Sequence, residues 1–338
     1  MTVRHLLKRG ALLVAANWPT VAIQVAARTT FQALVAVPVV SAAVLVAVLL
    51  GADTRDLLRG GIREMVTVVA AALMAEPLAL AAFLAAFGVV LLAGSVFMFL
   101  VKGGTVSVLL AAEEVGGAIE TEPLRLDLLR GASGFTLSRF TDGCRRLFGR
   151  YLTLGLALMV VYASSLGGYL AFVVYGYRSL DGSTFLVGWT FVAALGAVLL
   201  VAWVTAVNLV YLLLQIAVAV DDGGVVAALR SIGRFARAEG RRLGGVFIIV
   251  FAMVAAATLV SALAWSGVAL VAFVPLVGLV VIPLQVAGLL LRGLLFEYIG
   301  LTGLSAYLAL YRQHALRMAG ATARRSVGAT GREVGAVG

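Results

Sequence analysis

Charge is scarce in this chain: Asp, Glu, Lys and Arg make up 12% of its 338 residues, against roughly 25% in an ordinary soluble domain. That shortage argues against a soluble enzyme. Cysteine is nearly absent, and a single thiol, Cys144, excludes an internal disulfide. The two histidines, His5 and His314, lie near opposite ends, which argues against a histidine-rich metal site, and no metal is expected. No G-x-x-x-x-G-K-[ST], H-E-x-x-H or G-x-S-x-G occurs, so nucleotide hydrolysis and the common hydrolase chemistries have no motif here. No cofactor is called for. Two long stretches, Phe185 to Val220 and Leu243 to Leu291, hold no charged residue at all.

What is present is oil. A bilayer core about 30 Å thick takes about 20 apolar residues in a helix. Lipid offers no partners to backbone N–H and C=O groups, so such segments must be helical. A transmembrane barrel is excluded, because its strands would alternate polar and apolar. The sequence predicts an all-α polytopic bundle of six spans at about 29–51, 77–101, 149–175, 185–216, 244–267 and 279–311. No cleavable signal is expected: the first apolar run is cut short by Asn17-Trp18-Pro19, so the first span is an uncleaved anchor.

Lys and Arg set the orientation. The amino-terminal segment carries Arg4, Lys8 and Arg9. Segment 102–150 carries Lys102, Arg125, Arg130, Arg139, Arg145, Arg146 and Arg150. Segment 217–243 carries Arg230, Arg234, Arg237, Arg241 and Arg242, and five more follow Leu310. The alternating loops hold only Arg55, Arg59, Arg63 and Arg178. The positive-inside rule then predicts that both termini are cytoplasmic, which needs an even number of spans. The net charge of +10 follows from that topology, and nucleic acid is not expected as a partner.

The basic segments repeat a design. Leu7-Lys8-Arg9-Gly10-Ala11, Leu129-Arg130-Gly131-Ala132 and Leu229-Arg230-Ser231-Ile232-Gly233 each precede a span. In the second, Phe140, Cys144, Leu147 and Phe148 share one helical face, with Arg139, Asp142, Arg145 and Arg146 opposite. In the third, Val225, Leu229, Ile232 and Phe235 oppose Arg230, Arg234, Arg237 and Arg241. Basic amphipathic helices beside spans lie in the interface plane. Such helices are expected at 4–16, 122–148 and 222–240 inside and at 62–75 outside, with Asp222 capping the third. Near the end, Pro275 and Pro283 bracket either an outer turn before one long helix ending near Arg312, or a span that stops at Arg292. Residues 313–338, rich in Gly and Ala, read as a flexible basic tail.

Few side chains invite chemistry. Arg292 and Glu297 fall inside the last span, where an ionisable group costs about 2.5–3.5 kcal/mol on insertion scales. Five positions apart, they do not form an ideal pair. Thr205, Asn208, Tyr211 and Gln215 form a polar stripe on the fourth span. Interhelical hydrogen bonding and a lined solute path both fit that stripe. Cys144 lies on an apolar face and reads as packing. Asp221-Asp222 and Glu113-Glu114 read as helix-end pairs.

Asp221-Asp222, then Ala228-Leu229-Arg230-Ser231, then a span and a closing Leu310-Tyr311-Arg312 resemble a broad group of bacterial six-span proteins. That group includes the membrane part of some glycerophosphodiester phosphodiesterases and related stand-alone proteins. The resemblance implies the fold, not a reaction, since no phosphodiesterase domain is present. The expected function is non-enzymatic. Arg139, Arg145, Arg146, Arg230, Arg234, Arg237 and Arg241 would hold anionic lipid, and the bundle would organise membrane, bind a protein partner or self-associate. The alternative is a transporter or channel subunit with a polar pathway around Glu297, Arg292, Asn208, Gln215 and Thr205.

Overall fold

The computed structural model describes residues 2–49, 67, 71, 74–121, 123, 125–179, 186–272 and 277–334. Among them the chain forms eight helices and no strand. These are α1 (Val3–Ala16), α2 (Trp18–Leu49), α3 (Pro77–Val115), α4 (Leu126–Gly131), α5 (Leu137–Ser179), α6 (Leu186–Asp221), α7 (Val225–Ala272) and α8 (Val277–Val334). Six of them, α2, α3 and α5 to α8, are long and apolar enough to cross a membrane. The protein is a multi-pass helical bundle, and α3 begins at Pro77, whose missing N–H costs nothing in a first turn. The outer helix expected at 62–75 lies mostly outside the described residues.

The helices overrun their expected ends. The amphipathic stretch expected at 122–148 divides into the short α4 and the first turns of α5, which continues into its span without a break. The stretch expected at 222–240 is likewise the start of α7, bent at Glu239, where φ −118° and ψ 20° leave the helical region. Asp222 does not cap α7. Its φ of 48° ends α6 in the left-handed conformation, and α7 begins at Val225, its first turn closed by the Gly224 carbonyl, which accepts the Ala228 N–H at 3.0 Å. Pro283 sits within α8, which runs unbroken through Arg292 and on across the expected tail to Val334.

Two compact units divide the chain: Ile23–Lys102, and Met1–Ala22 with Gly103–Gly338. In the smaller unit the Phe83 and Phe87 rings stack at 5.8 Å, and Gly94 of α3 leaves room for the Phe31 ring of α2.

The larger unit is packed unevenly. Its buried residues gather in α1, the end of α3, the start of α5, the end of α6, the start of α7 and residues 299–311 of α8. Leu6, Leu13 and Val14 of α1 are fully buried, so the first basic helix is a core element of this hub, with Arg4 and His5 left exposed. Gly10 lets α1 touch α8: a Cβ there would stand 2.6 Å from the Thr302 carbonyl. The Tyr298 hydroxyl donates to the Ala11 carbonyl at 3.0 Å. Gly103 and Gly104 of α3 pack on Gly143 and Cys144 of α5, and Cys144 is buried as packing. Beyond the hub the same helices expose Val160, Leu170, Leu199, Phe251, Leu263 and Leu284, an apolar surface of the kind a span presents.

Candidate functional site

The hub is held by polar groups from distant parts of the chain. Arg9 of α1 is 7% exposed, and its Nε donates to both Glu113 carboxylate oxygens at 2.9 Å. Its Nη1 donates to Glu120 at 2.8 Å and to the Gly117 carbonyl. Burial pulls the Arg9 pKa down, and the hydrogen bonds and charges of Glu113 and Glu120 more than offset this, so it stands above its ordinary value. Asn17, fully buried between α1 and α2, donates to the Leu13 and Ala132 carbonyls and accepts the Gly134 N–H at 2.8 Å. It thereby closes α1 and fixes the segment ahead of α5.

A second set joins α6, α7 and α8. The Tyr311 hydroxyl donates to Asp221 at 2.6 Å and lies 2.7 Å from the Ser231 hydroxyl. The Phe235 and Tyr311 rings meet in a T-shaped contact, centroids 5.2 Å apart. Arg150 of α5 pairs with Asp222, and that hydrogen bond and charge hold the Asp222 carboxyl below its usual value. Glu239, at the bend of α7, pairs with Arg242 at 3.0 Å and Arg317 at 2.7 Å. Arg312 meets Glu114 at 3.4 Å.

The side chains expected to line a pathway are not brought together. The Tyr162 hydroxyl of α5 donates to Asn208 Oδ1 at 2.5 Å, and the Thr205 hydroxyl donates back to the Val201 carbonyl of its own helix. Gln215 is buried, and its backbone carbonyl accepts the Tyr151 hydroxyl at 2.9 Å. Of these side chains, Asn208 is the one that reaches α5. Glu297 is half-buried on α8, one residue before Tyr298. Arg292 is exposed, with its guanidinium 5.6 Å from the Phe296 ring. It lines a groove between α7 and α8 that includes neither Glu297 nor any residue of the stripe.

The basic side chains stand on the surface. Arg145, Arg230, Arg234, Arg237 and Arg241 are exposed. Arg139 and Arg146 are gathered with Ser107, Thr136, Ser138 and Asp142 around a cleft of about 320 Å³ at the head of α5. There Thr136 accepts the Arg139 N–H at 3.2 Å, capping the helix, and Arg139 Nη1 donates to the Gly134 carbonyl at 2.6 Å. The cleft thus gathers two guanidinium groups, three hydroxyls and one carboxylate. Among the described residues no three His, Cys, Asp or Glu side chains are grouped to hold a metal ion. No family model, curated protein or solved structure matches this chain.

Proposed function

We propose that this chain is a non-enzymatic protein of the bacterial inner membrane, with both termini cytoplasmic, that engages anionic lipid and organises the bilayer or a partner at its inner face. The observation that carries this is the cleft at the head of α5, where Arg139 and Arg146 meet three hydroxyls. Arg and phosphate form strong charge-assisted pairs. Basic pockets beside spans on the cytoplasmic side suit lipid head groups. The exposed arginines on one face of α7 extend the same surface. The placement of Lys and Arg along the sequence supports the orientation.

The likeness to the membrane part of glycerophosphodiester phosphodiesterases belongs to the same proposal. Its three quoted patterns meet at Tyr311. Transport through a pathway of Glu297, Arg292 and Asn208 draws less support, because Asn208 is bonded to Tyr162 and the groove beside Arg292 includes neither Asn208 nor Glu297.

Reconstitution into nanodiscs of graded anionic-lipid content tests the proposal. Labelled phosphatidylglycerol is expected to concentrate around the wild-type chain, and Arg139→Gln with Arg146→Gln to reduce that enrichment. Equal enrichment in both proteins would remove its main support.

A further inference from the structure

Arg292 stands in the lipid-facing part of α8, about 9 Å along the axis from Tyr298, where the hub begins. Its neighbours Leu289, Leu290, Leu291 and Leu295 are exposed. A guanidinium at that depth needs a counter-charge. Among the described residues no carboxylate pairs with it, and its guanidinium lies 5.6 Å from the Phe296 ring.

The groove beside it has a volume of about 390 Å³ and is almost wholly apolar. Small side chains open it: Ala257 and Ala264 on α7, Ala287 and Gly288 on α8. From Phe296 to Leu284 it follows α8 for about 18 Å, close to the ~15 Å depth of one hydrocarbon leaflet. The cation lies toward the hub end, and the apolar lining continues away from it.

We propose that this groove holds one phospholipid of the hub-side leaflet, its phosphate diester paired with Arg292 and one acyl chain lying past Gly288 and Ala264 toward Leu284. Charge complementarity sets the occupant, since a phosphate supplies the missing anion. The surrounding solvent is itself phospholipid. The inference deepens the lipid-engaging reading, but it rests on residues separate from the α5 cleft, so the two fail separately.

Native mass spectrometry of the full chain in detergent, with phosphatidylglycerol added, reads the site. With the α5 cleft removed by Arg139→Gln and Arg146→Gln, the chain is expected to retain one lipid. Arg292→Gln should weaken retention by about tenfold or more, and Arg292→Lys should restore part of it. Gly288→Leu should expel the lipid although Arg292 remains, since an added Cβ at Gly288 meets open space and the fold has room for it. Arg139→Gln with Arg146→Gln should keep this lipid while losing the surface enrichment. Unchanged retention in both Arg292→Gln and Gly288→Leu overturns the proposal. Displacement by glycerol phosphate at equal concentration also overturns it, because the acyl chain would then contribute nothing. A dimer that Gly288→Leu converts to monomer, with lipid unchanged, would assign the groove to a second copy instead.

Discussion

Tyr311 donates its hydroxyl to the Asp221 carboxylate at 2.6 Å, closing the end of α6 onto the last helix. The same oxygen lies 2.7 Å from Ser231 in the first turns of α7, so one buried side chain gathers three helices. Removing it leaves the fold's shape intact and its bonds unmade. Tyr311→Phe is expected to lower stability by about 1.5–3 kcal/mol, the range for hydrogen bonds to charged groups. Ser231→Ala should cost less, because the bond to Asp221 survives. Thermal unfolding in detergent measures both, and an unchanged midpoint for Tyr311→Phe would count against the hub's dependence on this contact.

Arg9 is the counter-charge for two carboxylates at once, with Glu113 and Glu120 side chains 7% and 10% exposed. Breaking such a set by removing one partner leaves uncompensated buried charge, at about 3–5 kcal/mol. Arg9→Met should therefore be severe. Combining it with Glu113→Gln and Glu120→Gln should recover much of the loss, since no unpaired charge then remains. A triple variant no more stable than Arg9→Met would show that packing of the Arg9 stem, and not its charge, matters here.

The spans and the basic segments were legible because each is a local property: hydropathy over 20 residues, or Arg on one face of a helix. The polar stripe on α6 was legible too, yet its role was fixed by Tyr162, on a different helix. The Arg9 cluster was out of reach, because its partners lie 104 and 111 residues away. Glu113-Glu114 after an apolar run is the available signal, and by itself it reads as a helix end. Asp222 was misread for a related reason. An acid just before a helix suggests an N-cap, but its carboxylate was taken by Arg150 of α5 and its backbone by the end of α6.

The Arg150–Asp222 pair gives a pH signature. Asp222 is held below the ordinary aspartate value of 3.8, chiefly by its hydrogen bond to Arg150 and then by that charge. A depressed carboxylate contributes stability above its unfolded value, and this is lost as pH falls through the folded one. Any effect is therefore confined to strongly acid conditions, and neutral pH should leave it whole. In Arg150→Gln the Asp222 carboxyl should titrate closer to 3.8. An NMR titration of Asp222 in the two proteins measures the change, and identical curves would show that the pair does not form in solution.

The close approach of α1 to α8 predicts opposite effects from one substitution at two glycines. At Gly10 an added methyl would stand 2.6 Å from the Thr302 carbonyl oxygen and 3.0 Å from the Ala306 nitrogen. Both are backbone atoms, which cannot rotate aside. Gly10→Ala must push the helices apart, at about 1–3 kcal/mol for overpacking. Because α1 is central to the hub, the loss should also loosen Tyr298 from the Ala11 carbonyl. At Gly233, inside α7, the same methyl meets nothing within 4 Å. Gly233→Ala should stabilise by roughly 0.4–1 kcal/mol, since it removes backbone freedom from the unfolded chain and adds no clash. Unfolding of the two variants side by side decides the matter. If Gly10→Ala proved as harmless as Gly233→Ala, the close packing of the first helix against the last would have to be abandoned.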